Sequence, residues 1–128
     1  MNEAGKTIQN AIDEIREAVD FLRYYSNQMI GIEETDQKLE GPTGEENILS
    51  YGAKGHFICI SPWNFPVAIL IGQISAGLIT GNKVTVKPSE HTSILGYLVA
   101  STFHKNGVPT DALELVLGDG LYGDVFQN

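Results

Sequence analysis

CISPWNFPVAILIGQISAGLITGNKVTVKPSE, residues 59–90, is the stretch that decides the fold. It begins inside a short continuous apolar run (57–60), the pattern of a parallel strand covered on both faces. A proline-bracketed polar elbow, SPWNFP (61–66), follows. Residues 67–80 are then apolar nearly all round, and a helix of that kind must be buried on most of its sides. Gly81 is a good stop for it. Residues 84–86 read as a second strand, ending in the turn KPSE (87–90).

Toward the C-terminus, residues 93–105 are predicted as a second helix, with Thr92 as its cap and Asn106-Gly107 as its end. Residues 113–117 are predicted as a third strand. Strand, helix, strand, helix, strand is a run of right-handed βαβ units, hence an open parallel sheet. Toward the N-terminus, Ile8, Ile12, Ile15, Val19 and Leu22 recur at steps of four and three, one apolar stripe along a helix. The helix is placed at residues 6–29 and stopped by Gly31; Asp13, Glu14, Arg16 and Glu17 fall off the stripe. The stripe is expected to pack on the core rather than to form a coiled-coil seam. The acidic, turn-rich segment 31–46, with GPTG at 41–44, reads as a surface connection carrying one short strand, and 48–51 as another strand. The expected class is α/β: a partial Rossmann-like open parallel sheet preceded by a long helix. The division is 1–54, helix and connection, and 55–128, the partial α/β domain.

Composition excludes several functions. The formal net charge is −8, and the eight basic residues are scattered, so no phosphate-binding surface for nucleic acid is expected. The longest charge-free apolar run, 67–82, is shorter than the roughly 18 residues of a membrane span and is interrupted by Gly72, Gln73, Ser75 and Gly77. Met1 leads straight into polar, charged sequence without a secretory pattern, so a cytoplasmic or matrix location is expected, with the cytoplasm preferred. The single cysteine excludes an internal disulfide, and His56, His91 and His104 have no metal-ligand spacing with it.

Chemistry is expected where open α/β sheets bind ligands, beyond the C-terminal strand ends. Asn64 lies in the elbow there, in a backbone that two prolines restrict. A lone Asn in a turn commonly serves the turn's own amides. Held outward, its carboxamide N–H is a neutral donor able to stabilise an oxyanion without an unpaired buried charge. Lys87 ends the second strand and Glu90 follows past Pro88. An acidic side chain at this point commonly accepts hydrogen bonds from ribose hydroxyls and repels a 2′-phosphate, whereas a surface ion pair between the two would be worth little. Gly118, Gly120 and Gly123 spell G-x-G-x-x-G, but after the third strand rather than the first. Cys59 sits inside an apolar strand, where cysteine behaves as a small hydrophobe rather than a nucleophile.

SPWNFP and VTVKPSE (84–90) in this register resemble the aldehyde dehydrogenase superfamily. EAGKT (3–7) and RYYSNQ (23–28) resemble its glutamate-semialdehyde (1-pyrroline-5-carboxylate) dehydrogenase branch, as found in bifunctional proline-utilisation proteins. The resemblance implies that Asn64 helps bind the thiohemiacetal oxyanion, that Lys87 and Glu90 contact the adenosine ribose of NAD, and that Ser89 binds the cofactor beside them. It also implies that Ser61, Pro62 and Trp63 lie on the cofactor side, with Phe65 mainly packing. The family's glycine turn lines the adenine side of NAD with G-x-G-x-x-x-G spacing. Gly118 and Gly120 match it; Asp124 stands where the last glycine belongs.

The same resemblance implies cysteine attack on an aldehyde, hydride transfer to NAD and hydrolysis to a carboxylate. The nucleophilic cysteine, the general-base glutamate and the helix N-terminus that meets the diphosphate match nothing in this sequence. The expected reading is the N-terminal part of such a dehydrogenase. Alone it would be inactive, bind NAD weakly if at all, and self-associate through an unpaired sheet edge and uncovered apolar surface. A dehydrogenase for another aldehyde and a non-catalytic interaction module remain open.

Overall fold

The computed structural model describes residues 1–33 and 37–119. A long helix α1 (Ile8–Glu33) begins the chain, and the Thr7 hydroxyl accepts a hydrogen bond from the Asn10 amide at 3.2 Å to cap its start. A small antiparallel pair, β1 (Gln37–Leu39) and β2 (Asn47–Leu49), supplies the two strands expected of the connecting segment. Then come β3 (His56–Ser61), α2 (Ala68–Ile79), β4 (Lys83–Pro88), a single 3₁₀ turn (Glu90–Thr92), α3 (Ser93–Lys105) and β5 (Leu113–Leu115).

Strands β3, β4 and β5 lie side by side in sequence order and are parallel throughout. Their register puts Phe57, Cys59 and Ser61 on the same face as Val84, Val86, Pro88, Leu113 and Leu115. Both helices cover that face. A Cβ on Gly77 of α2 would lie 2.6 Å from the Val84 side chain, and one on Gly96 of α3 would collide with the Pro88 ring. The two glycines therefore set how closely helices and sheet approach. Leu70, Ile74, Val84 and Val86 are wholly buried between the layers. Gly81, at φ +78°, ends α2, and the buried Asn82 side chain bonds both the Gly55 amide (2.8 Å) and the Gly77 carbonyl (3.2 Å) across the turn. The opposite sheet face carries a polar chain: His56 bonds the Thr85 hydroxyl (2.8 Å), Thr85 donates to Glu114 (3.2 Å), and Lys83 pairs with Glu114 (3.5 Å).

The first helix corrects the sequence reading. It runs through Gly31 instead of stopping there. The stripe expected in the core is largely exposed, Ile8 at 65%, Ile15 at 52% and Ile12 at 43%. What α1 buries against α2 is Glu14, Ala18 and part of Phe21, whose ring lies over Gly72. The reason is a polar anchor. A buried carboxylate with a fixed partner sets the rotation of α1, and the apolar stripe follows one position away. The displaced stripe and α3 then wall a groove of about 560 Å³, lined by Ile15, Leu22, Ile71, Leu95, Leu98 and Phe103.

Candidate functional site

Three turns leave the sheet at its C-terminal edge. Ser61 of β3 pairs with Pro88 of β4, and Ile60 with Lys87, so SPWNFP and KPSE emerge from adjacent strand ends. The Val116 amide donates to the Val86 carbonyl at 2.9 Å, which carries the chain past β5 to Gly118 at the same edge. Gly120, Gly123 and Asp124 lie outside the described residues.

The elbow presents its side chains unevenly. Pro66 is wholly buried and anchors it. Trp63 (53% exposed) and Phe65 (42%) stand out, and Asn64 is exposed between them. Its carboxamide makes no hydrogen bond with any described residue, so it does not serve the turn's own amides. Ser61 is buried with a hydroxyl that has no partner among the described residues.

The helix that follows starts without a capping side chain of its own, because Val67 occupies the cap position. Glu14 supplies the acceptor from 53 residues upstream. Its Oε1 accepts from the amides of Val67 (2.8 Å) and Ala68 (3.2 Å), and its Oε2 pairs with Lys6 Nζ at 2.9 Å. The Lys6 ammonium in turn lies 3.8 Å from the centre of the Phe65 ring, a cation–π contact. A carboxylate at a helix N-terminus is stabilised by the helix dipole as well as by the amides. Helix α3 is finished the same way. Glu3 accepts from the Ile94 (2.9 Å) and Leu95 (2.8 Å) amides, while the expected cap, Thr92, makes no side-chain cap bond. Both helix N-termini facing the strand-end edge are thus filled by carboxylates of the N-terminal segment. A cofactor phosphate would find those four N–H groups taken.

Around KPSE the expected residues sort clearly. Lys87 is 4% exposed, and its ammonium makes one long contact, 3.5 Å to the Pro88 carbonyl. It does not pair with Glu90; Glu90 is exposed and lies 3.8 Å from His91. The Ser89 hydroxyl accepts from the His91 amide at 3.3 Å and shapes the 3₁₀ turn. A buried ammonium with a single long contact at the sheet edge fits an oxygen-rich ligand such as a dinucleotide ribose, whereas the Ser61 hydroxyl, in register with Pro88, belongs to the helix-covered face. Cys59 is buried in β3, and burial pushes its thiol above the ordinary value, the opposite of an activated nucleophile.

The groove between α1 and α3 starts at Val67 and Leu95, beside the two helix N-termini, is lined almost wholly by apolar side chains, and brings together no catalytic group. Glu3, Lys6 and Glu14 are the residues that the sequence reading missed. The one available signal was an unusual helix start: a Val-Ala beginning with no Ser, Thr, Asp or Asn leaves amides that need an acceptor from elsewhere.

The sequence matches the aldehyde dehydrogenase family over residues 1–126. It is 44% identical over 123 residues to the bifunctional protein PutA of Rhizobium meliloti, covering 96% of this chain and 9% of that protein. It is 38% identical over 120 residues to the 1-pyrroline-5-carboxylate dehydrogenase of Geobacillus sp. (strain WCH70), covering 94% of this chain and 23% of that one. A solved structure of proline utilization A with proline bound in remote sites superposes with a TM-score of 0.88 at 45% identity, over 95% of this chain and 12% of that one. The chain therefore spans a small part of each relative's length.

Proposed function

This chain belongs to the aldehyde dehydrogenase family, and from that premise we propose that it is the N-terminal part of an NAD-dependent dehydrogenase. The proposed reaction is oxidation of glutamate semialdehyde (1-pyrroline-5-carboxylate) to glutamate in proline catabolism. The names of the PutA and 1-pyrroline-5-carboxylate dehydrogenase relatives support the substrate. The single observation that carries the site is the pairing of a free, outward carboxamide at Asn64 with a buried, under-partnered ammonium at Lys87 on adjacent strand ends.

Asn64 donates its carboxamide N–H to the oxyanion that forms when a cysteine adds to the aldehyde. A preformed neutral donor lowers that barrier because it needs no reorganisation as charge develops. Lys87 and Glu90 hold the adenosine ribose of NAD, with Ser89 beside them on the cofactor and the Glu90 carboxylate set against a 2′-phosphate. Ser61, Pro62 and Trp63 border the cofactor, and Gly118 and Gly120 are assigned to its adenine side. When bound, NAD supplies the hydride acceptor. The attacking cysteine is not Cys59, so the 128 residues by themselves form no thioester and show no aldehyde oxidation. The uncovered apolar groove and exposed Ile8, Ile12 and Ile15 favour self-association of the isolated chain. Residence in the cytoplasm fits the reading, and no helix among the described residues is long and apolar enough to cross a membrane.

The test is functional replacement. Residues 1–126 are exchanged for the matching segment of the Geobacillus dehydrogenase, and NADH formation from glutamate semialdehyde is followed. The expected chimera is active, and Asn64→Ala in it lowers kcat by about 10²–10³, the usual cost of one oxyanion donor. An active chimera whose kcat is indifferent to Asn64→Ala would remove the role assigned to this residue.

A further inference from the structure

The N-terminal segment holds the elbow from outside. Between Ser61, fixed by its pairing with Pro88, and the first turn of α2, the elbow has no side-chain hydrogen bond of its own; its exposed residues include Trp63, Asn64 and Phe65. Beside the buried Pro66, its polar fixed points on the C-terminal side come from α1 and the residues before it. Glu14 holds the Val67 and Ala68 amides, and Lys6, bound to Glu14, lies over the Phe65 ring. Phe65 adjoins Asn64, and its carbonyl accepts from the Ile69 amide at 3.3 Å. One ion pair thus grips the residue after Asn64 by its ring and the next turn by its amides.

We propose that Lys6 and Glu14 form a strap that positions the Asn64 carboxamide. Neither touches the reacting atoms; both act through Phe65 and the start of α2. The strap is built into this chain, whereas its bearing on oxyanion binding rests on the reading of Asn64 given above. Glu14 needs both halves of its role. A carboxylate 4% exposed requires a cation, and an uncapped helix start requires an acceptor. Lys6, at 12% exposure, is held against an aromatic face rather than left in water, so its position transmits to Phe65.

Glu3 provides the control, because it caps α3 with the same two-amide geometry but has no ion pair and no contact with the elbow among the interactions described. The experiment is ¹⁵N NMR relaxation and amide exchange on the 128-residue chain carrying Glu14→Gln, Lys6→Met, Lys6→Arg or Glu3→Gln. In Glu14→Gln the Val67 and Ala68 amides are expected to exchange about tenfold faster, as for a lost cap. In both Glu14→Gln and Lys6→Met the order parameter at Asn64 falls from about 0.85 to below about 0.6. Lys6→Arg restores it, since a guanidinium keeps both the charge and the stacking. Glu3→Gln moves Ile94 and Leu95 and leaves Asn64 as it was. Lys6→Met keeps the capping carboxylate, so it reads the strap even if Glu14→Gln does not fold. An Asn64 that stays ordered in Lys6→Met, or that loosens equally in Glu3→Gln, overturns the proposal. The readout needs no substrate or cofactor, so that failure would leave the enzymatic reading standing, and an inactive chimera would leave the strap standing.

Discussion

Replacing Glu14 by Ala should cost far more stability than replacing Glu3 by Ala, although each carboxylate caps one helix through two amides. Loss of Glu3 removes a cap at a partly exposed helix start, worth about 1 kcal/mol. Loss of Glu14 removes a cap and also leaves the Lys6 ammonium without its counter-charge at 12% exposure. Breaking a buried pair by deleting one partner costs about 3–5 kcal/mol. Lys6 keeps the Phe65 ring and has a short route to water, so the low end applies, about 3 kcal/mol for Glu14→Ala. For a chain of this size that is a Tm lower by about 10 °C. The assay is urea unfolding followed by circular dichroism, with equal m-values as the check that both variants remain folded at zero urea. In the background of Glu14→Ala, Lys6→Met should cost little, giving a coupling energy of about 2 kcal/mol between the two sites. Equal costs for Glu14→Ala and Glu3→Ala, or strict additivity of Lys6→Met with Glu14→Ala, would refute the reasoning that the pair is buried and mutually dependent.

Other substitutions read other parts of the structure. Gly96→Ala should destabilise by about 1–3 kcal/mol despite the better helix propensity of Ala, because the new methyl meets the Pro88 ring; calorimetry of the variant checks this. Asn82→Ala should cost about 1–3 kcal/mol, since the Gly55 amide and Gly77 carbonyl lose their shared partner; urea titration measures it. The Cys59 thiol should react with iodoacetamide far more slowly in the folded chain than in urea, because burial both shields it and raises its pKa. The folded state holds that proton more tightly than the unfolded state, so the Cys59 contribution to stability is complete below about pH 9 and is lost as the pH rises through the raised value. Cys59→Ala should flatten that alkaline limb in a pH series of melts. In the active chimera, Glu90→Gln should narrow the preference for NAD over NADP, and an unchanged ratio of kcat/KM values would place Glu90 away from the ribose.

The α/β half of the molecule was legible because its signals are local. A continuous apolar run at 57–60, an apolar helix at 67–80 and Gly81 behind it mark their elements locally, and the strands and helices fall within a few residues of expectation, although Phe57, Ile58 and Ile60 are exposed and the strand is not covered on both faces as expected. The elbow and KPSE were legible as turns at adjacent strand ends because proline, turn and strand end coincide there. Periodicity failed on α1. It ranks faces by apolar residues, and here the face with Glu14 wins, because a carboxylate with two amides and an ammonium is better satisfied inside than out. Nothing near Glu14 in sequence announces this, since two of its partners are 53 and 54 residues away. The cap of α3 was misplaced for the same reason: Thr92 is the right type at the right position, but the acceptor comes from Glu3, 91 residues upstream. The glycine turn beyond Gly118 lies outside the described residues and stays as the sequence left it.

The most direct test of the central claim, that this edge is a cofactor site of aldehyde dehydrogenase type, is an NAD titration of the ¹⁵N-labelled chain. Weak binding is predicted, with shifts gathered at Ser61, Trp63, Lys87, Ser89, Glu90 and Gly118. The amides of Val67, Ala68, Ile94 and Leu95 should stay in place, because Glu14 and Glu3 already hold them. Shifts centred on those four amides, with Lys87 and Glu90 unmoved, would mean that phosphate enters at the helix N-termini as in an ordinary dinucleotide fold, and would contradict the account.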